Sequence, residues 1–172
     1  MTVDANKLIA AIETELDQVS DPRVVQHIRS LMVVPSIVMR PWDYGEPDTE
    51  YPCWSVLEHQ KSNTGIAFSD YGFGPSYPWG LVTLEGPKDS LSMGMDCAWY
   101  PCFVEAYFES FASADLPIWR VFRSGDDTYP GEPISDESDW GSTWAAVYRL
   151  REEDKNRKYN CHHSVTYFHP PE

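Results

Sequence analysis

Basic residues are scarce in this sequence. Its 172 residues carry 13 Lys and Arg against 27 Asp and Glu, a formal net charge of −14. A field of that sign repels phosphate backbones and anionic bilayers, so neither nucleic acid nor a membrane is expected as a partner. The one basic cluster, "KNRK" at Lys155 to Lys158, sits beside Glu152, Glu153 and Asp154 and reads as a charge-balanced turn. Long apolar runs are missing as well, and no stretch approaches membrane-spanning length. The opening "MTVDANKLIAAIETELDQ" places acids inside its apolar pattern and lacks the uninterrupted core of a secretory signal. A cytoplasmic location is therefore expected, with reduced thiols at Cys53, Cys97, Cys102 and Cys161. Reaction signatures are absent too: Gly-x-Ser-x-Gly, His-Glu-x-x-His and Gly-x-x-x-x-Gly-Lys do not occur. No catalytic residue is assigned, no cofactor is implied, and whether the chain is an enzyme is left open.

Aromatic rings are what the chain has in abundance. Apolar residues make up 42% and aromatics 14%, which rules against wholesale disorder despite the charge. At this length one domain over 1–172 is expected, with enough chain for a sizeable core.

Leu8, Ile9, Ile12, Leu16 and Val19 recur at helical spacing and mark a first amphipathic helix. "SDPRVVQHIRSLM" follows, with Asp21 as cap, Pro22 at the first position and Val24, Val25, Ile28 and Leu31 as its stripe. His27 and Arg29 are expected to face outward. "SIVMR" opens a region of strands, in which "YPCWSVLEHQ" and "TGIAFSDYG" joined by "KSN" signal a hairpin. "GLVTL" and "LPIWRVFR" read as further strands. Between them a helix from Pro101 to about Ser113 carries Phe103, Tyr107 and Phe111 at every fourth position. "TWAAVYRLR" and "YNCHHSVTYFH" are expected to form a last antiparallel hairpin over 143–151 and 159–168. The fold class is thus α+β: a largely antiparallel sheet covered by N-terminal helices and one further helix.

Two groups of residues bear on metal and acid–base chemistry. Cys161 and His163 share a strand face, yet the cysteines lack the paired short spacings of zinc sites, so no metal is expected. A hairpin turn centred on Ser62 would gather Trp54, Val56, Glu58, Ile66, Phe68 and Asp70 on one face. A carboxylate among such apolar groups could serve as a general acid, whereas at a sheet edge it is merely solvated.

Two loops stand apart, "RPWDYGEPDTEYP" and "SGDDTYPGEPISDESDWGS". The second holds Asp126, Asp127, Glu132, Asp136, Glu137 and Asp139 with no basic residue among them. A third segment, "SDYGFGPSYPWG", spends Tyr71, Phe73, Tyr77 and Trp79 on a stretch whose glycines and prolines forbid helix or regular strand. A divided loop is expected, some rings capping the core and the tyrosines reaching the surface, with Trp42 and Tyr44 joining them. Rings beside carboxylates suit a protein interface or a cationic or sugar ligand.

In small size, acidity and cytoplasmic character the chain is similar to bacterial immunity and inhibitor proteins, a resemblance of composition that carries over no residues. With the net charge and the two acid-rich loops, it points to a non-enzymatic interaction module that presents an acidic, aromatic-studded face to a basic protein. The candidate binding residues are Trp42, Tyr44, Tyr71, Phe73, Tyr77, Trp79, Asp126, Asp127, Asp136 and Glu137. The alternative is a small-molecule-binding protein or hydrolase with its site under the 69–80 loop, drawing on Glu58, His59, Asp70 or His163.

Overall fold

Asp4 and Asp21 start the two helices that open the chain in the computed structural model, which describes residues 3–71, 73–93, 98–125, 129–165 and 167. Contacts divide the chain into two units, Met1–Ser113 with Tyr167–Glu172, and Ala114–Thr166. Among the described residues, four helices and two antiparallel sheets make an α+β fold.

In the first unit, helix α1 spans Ala5–Leu16 and α2 spans Pro22–Leu31. Each begins as its cap dictates: Asp4 accepts the Lys7 N–H at 3.0 Å and Asp21 accepts the Arg23 N–H at 2.9 Å. Leu8, Ile12 and Leu16 on α1 and Val24 and Ile28 on α2 are buried, as the spacing predicts. His27 departs from expectation. It is half-buried, with Nδ1 2.7 Å from the Tyr107 hydroxyl, because Tyr107 is fully enclosed and needs a partner.

Strands β1 (Met32–Pro41), β2 (Glu50–His59), β3 (Thr64–Phe68), β4 (Trp79–Thr83) and β5 (Trp99–Tyr100) form a sheet in that order. The expected β2–β3 hairpin is present, closed by a 3-10 turn at Gln60–Ser62 and by Asn63 at φ 55°. The Asn63 side chain then clamps the next connection: its amide donates to Glu85 O at 2.8 Å and its oxygen accepts the Glu85 N–H at 3.1 Å. Asn63→Ala loses both bonds and puts a Cβ-bearing residue of low left-handed tolerance there, so about 2 kcal/mol of stability should go. Urea unfolding would check this, and a change within ~0.5 kcal/mol would contradict it.

Register sorts the sheet into two faces. Trp54 pairs with Phe68, and Phe68 with Trp79, placing these rings on one side with Leu57 and Ile66. Helix α3 (Phe103–Glu109) packs near this side, with the Phe103 and Trp79 rings edge to face at 5.3 Å. Phe103 and Tyr107 are buried, but Phe111 is exposed, because α3 stops at Glu109 and Ser110 is extended. The opposite face holds Arg40, Tyr51, Cys53, Ser55 and Ala67, and across Gly80 it reaches Trp99. The register of this hairpin corrects one expectation. From the 60–63 turn it pairs Glu58 with Gly65 rather than Ile66, and a bulge between Ser55 and Leu57 then leaves Glu58 off the face of Trp54, Ile66 and Phe68. Glu58, half-buried, instead accepts from the Gln60 side chain at 2.9 Å.

Glu15 reaches from α1 to the start of α3, where it accepts the Val104 N–H at 2.9 Å. Burial raises its carboxyl above the ordinary value, outweighing the hydrogen bonds from Val104 and Phe103 that lower it. The folded chain therefore holds this proton more tightly than the unfolded chain. Stability is lost as pH rises from the ordinary carboxylate range through the raised value. Glu15→Gln keeps an acceptor and no charge, so its melting temperature should climb relative to wild type as pH is raised from about 4 to 7. A difference independent of pH would contradict this.

The second unit corrects the expected last hairpin. Residues Trp140–Glu153 form helix α4, while β6 (Trp119–Arg123), β7 (Glu132–Pro133) and β8 (Tyr159–His163) form a sheet ordered β7-β6-β8. The partner of β8 is β6, antiparallel from Trp119↔His163 to Arg123↔Tyr159. Alternation of Trp144, Tyr148 and Leu150 with arginines mimics a strand, but Thr143 and Val147, the helix's buried pair, are four apart. Asp139 caps the helix, accepting the Ser142 N–H at 3.0 Å. Val147 packs with Val121 and Tyr159, with Cys161 at the margin of the cluster.

Candidate functional site

The aromatic residues singled out in the sequence gather in the first unit. Pro41 ends β1, and the chain turns at once: Gly45 N donates to Trp42 O at 2.9 Å. Gly45 is required there, since a Cβ would meet the Tyr51 ring at 2.6 Å. The Tyr51 hydroxyl in turn accepts the Glu46 N–H at 3.1 Å. This loop thus presents Trp42 and Tyr44 as an edge-to-face pair at 6.1 Å, with Trp42 also against Tyr51 at 6.0 Å.

The 69–80 loop is tied to the same ground by buried Ser69. Its hydroxyl donates to Pro52 O at 3.2 Å and accepts the Tyr71 N–H at 3.1 Å, while Ser69 N donates to Pro78 O at 2.9 Å. Those bonds carry Tyr71 to 5.4 Å from Tyr51, and Phe73 lies 6.1 Å from Trp99. The loop is divided as expected. Trp79 is buried at 4% exposure, whereas Tyr71, Tyr77 and Tyr44 remain about half exposed at 47, 51 and 57%. Phe73, at 40%, joins the exposed rings. The contacts run Tyr44–Trp42–Tyr51–Tyr71 and leave both end rings open to solvent. Each such pair contributes roughly 0.5–1.5 kcal/mol beyond buried area, so the exposed rings are held rather than loose. Asp43, Glu46, Asp48, Glu50 and Asp70 are exposed around them.

Strand β1 adjoins this patch and is an edge of the sheet. From Met32 to Met39 it carries no charge, and Val34, Ile37, Val38 and Met39 are exposed at 84, 52, 38 and 50%. Edge strands are ordinarily guarded by charge, proline or cover. Pro35 is the guard within this one.

The acidic candidates belong to the second unit, and much of their charge is spent internally. Asp126 and Asp127 lie outside the described residues. Glu132 is ion-paired with Arg123. Glu137 lies 3.7 Å from Arg120 and accepts the Ser164 hydroxyl at 2.9 Å, and Asp139 is the α4 cap. Asp136 is exposed.

The polar groups of the small-molecule alternative fall in both units. Glu58 and His59 occupy opposite faces of β2, and His59 Nδ1 lies 2.7 Å from the Ser62 hydroxyl. His163 belongs to the second unit, where its ring meets Trp119 at 5.7 Å. Burial pushes the Cys102 and Cys161 thiols up to about 12, which makes both poor nucleophiles. Cys53, Cys102 and Cys161 are thiols rather than halves of a disulfide, and Cys97 lies outside the described residues. Among the described residues, no three His, Cys, Asp or Glu side chains are grouped to hold a metal ion. Nor does any helix among them have the length and apolarity to cross a membrane.

Three residues of this region escaped sequence reading: Arg40, Tyr51 and Trp99. Arg40 had one signal, as the only basic residue between Arg29 and Lys61. Comparison with protein-family models, curated proteins and solved structures finds no match for the chain.

Proposed function

We propose that the first unit is a non-enzymatic docking module for a basic protein, and that its contact surface is the aromatic patch of the 42–51 and 69–80 loops together with the edge of β1. One observation carries this reading: a chain of ring contacts, Tyr44–Trp42–Tyr51–Tyr71, that ends in half-exposed tyrosines fringed by carboxylates. Tyrosine is a favoured interface residue because it offers large amphipathic area at little entropy cost, and rings at the centre of an interface supply most of its energy. Exposed apolar side chains along an uncharged sheet edge favour an extended partner segment adding alongside β1. The acids at the rim select a cationic partner and speed its approach. The rim acids of this surface are Asp43, Glu46, Asp48 and Asp70, whereas the internal bonds of Glu132, Glu137 and Asp139 favour a structural use for those three.

The test compares two baits in source-cell extracts, wild type and Tyr44→Ser/Tyr71→Ser/Tyr77→Ser. These three side chains are exposed, so the fold should survive their loss. A protein of basic isoelectric point should be retained by the wild type and lost from the variant. Reconstituted from purified components, its association rate should fall steeply between about 50 and 300 mM salt. Equal retention by both baits, or a rate indifferent to salt, would defeat this reading.

A further inference from the structure

Proline fixes which way the edge strand turns its backbone. Met39 on β1 lies opposite Pro52 on β2. A hydrogen-bonded pair in an antiparallel ladder takes an N–H from each residue, and Pro52 has none to give. Met39 and Pro52 are therefore a non-hydrogen-bonded pair. The two kinds alternate, so Ile37 with Trp54 and Pro41 with Glu50 are non-hydrogen-bonded as well. Residues of such a pair turn their own N–H and C=O groups away from each other. Two contacts show it: on one side Pro41 O accepts the Met93 N–H at 2.7 Å, and on the other Pro52 O accepts the Ser69 hydroxyl at 3.2 Å.

Ile37 and Met39 accordingly direct their N–H and C=O groups out of the sheet, on a side where no further strand stands among the described residues. Their side chains are exposed at 52 and 50%, so solvent reaches the strand there. The open length is short. Met93 already takes the next place along, at Pro41, and Pro35 has no N–H to offer toward the other end.

Charge is distributed unevenly about this edge. Met32 to Met39 carries none, whereas carboxylates gather past its C-terminal end. Glu50 stands opposite Pro41, and Asp43, Glu46 and Asp48 are exposed on the loop between them. Lys88 meets one of these four acids, Glu50, at 3.3 Å, and the cluster stays net negative. We infer that β1 takes up an extended partner segment, antiparallel, with apolar and β-branched residues beside 37–39 and a run of Lys or Arg on its N-terminal flank. Antiparallel pairing is the commoner arrangement and slightly the more stable, and it sets the partner's N-terminal side next to the carboxylates. Main-chain bonds to Ile37 and Met39 supply the attachment, and the flanking charges fix its direction. The inference rests on the docking reading above and deepens it, giving the bound segment a composition and a polarity.

Two capped peptides of one composition test it on the full chain: Lys-Arg-Lys-Gly-Thr-Val-Thr-Val and the reverse order, Val-Thr-Val-Thr-Gly-Lys-Arg-Lys. By fluorescence anisotropy the first should bind saturably below about 1 mM, and the second at least about tenfold more weakly. In NMR amide exchange the first should slow Ile37 and Met39, while Val38 and Arg40, already bonded to β2, should not change. Met39→Pro removes an outward N–H and no ladder bond, so the fold should persist while binding falls at least about tenfold. Met39→Ser keeps that N–H and should weaken binding less than about threefold. Ile37→Pro repeats the comparison if Met39→Pro does not fold. Equal binding of the two orders, unchanged exchange at both amides, or wild-type binding by the proline variant would overturn the inference. So would a dimer of the chain alone that Met39→Pro separates in sedimentation, since that gives the edge to a second copy. The docking reading falls by its own test, retention of the basic protein by the Tyr44→Ser/Tyr71→Ser/Tyr77→Ser variant; failure of the peptides while that variant still loses the protein removes the β1 inference alone.

Discussion

Phe103→Ala should remove about 3–5 kcal/mol of stability, a large share of the ~5–15 kcal/mol that holds a domain folded. Phe103 is wholly buried at the start of α3, with its ring edge to face against Trp79 at 5.3 Å. Trp79 in turn meets Phe68 at 5.1 Å across the β3–β4 pairing. Truncation therefore forfeits the transfer energy of the ring, opens a cavity between helix and sheet, and breaks an aromatic contact at the base of the 69–80 loop. Phe103→Leu refills most of that volume and should cost under about 1.5 kcal/mol. Guanidinium denaturation of the two variants would measure both, and equal costs would mean that the ring is not the keystone described here. Loss of Phe103 should also loosen Tyr71 and Tyr77, because Trp79 ends the loop that carries them.

Ala145→Pro should be nearly as damaging, by about 3 kcal/mol or more. Ala145 is exposed in the middle of α4, so it contributes no packing. The proline would act only through the backbone, removing an intrahelical bond and pressing its ring against the carbonyl of Gly141. Ala145→Gly should cost only about 1 kcal/mol at the same place. This pair of variants separates the helix from the strand that the local pattern suggests. If 140–153 were extended, alanine would already be a poor strand residue and glycine would change little more.

The reasons for that misreading are physical. α4 satisfies two periods at once, since Trp144, Tyr148 and Leu150 alternate with arginines while Thr143 and Val147 recur at helical spacing. What decides between them is the contact with β6 and β8, including the Thr143 hydroxyl donating to Trp119 O at 3.3 Å, and that contact is remote in sequence. The N-terminal helices were legible because their signals are local: Asp21 with Pro22, and an apolar stripe with few competing residues. The β2–β3 hairpin was legible for the same reason, whereas the bulge at Val56 is not written in residue type and moved Glu58 to the other face. Of the candidate site, the division of the 69–80 rings could be read from glycine and proline placement. The placement of Arg40, Ser55 and Trp99 on one face of the sheet could not, because it depends on register passed across four strand pairings.

The docking surface itself is open to one direct measurement, hydrogen–deuterium exchange of the full chain with and without its purified basic partner. Amides that become paired or enclosed at an interface slow their exchange. New protection is expected in β1 (Met32–Pro41) and in the 42–51 and 69–80 loops, diminishing as salt is raised. Protection confined to residues 131–153 of the second unit, with β1 and both aromatic loops unchanged, would contradict it.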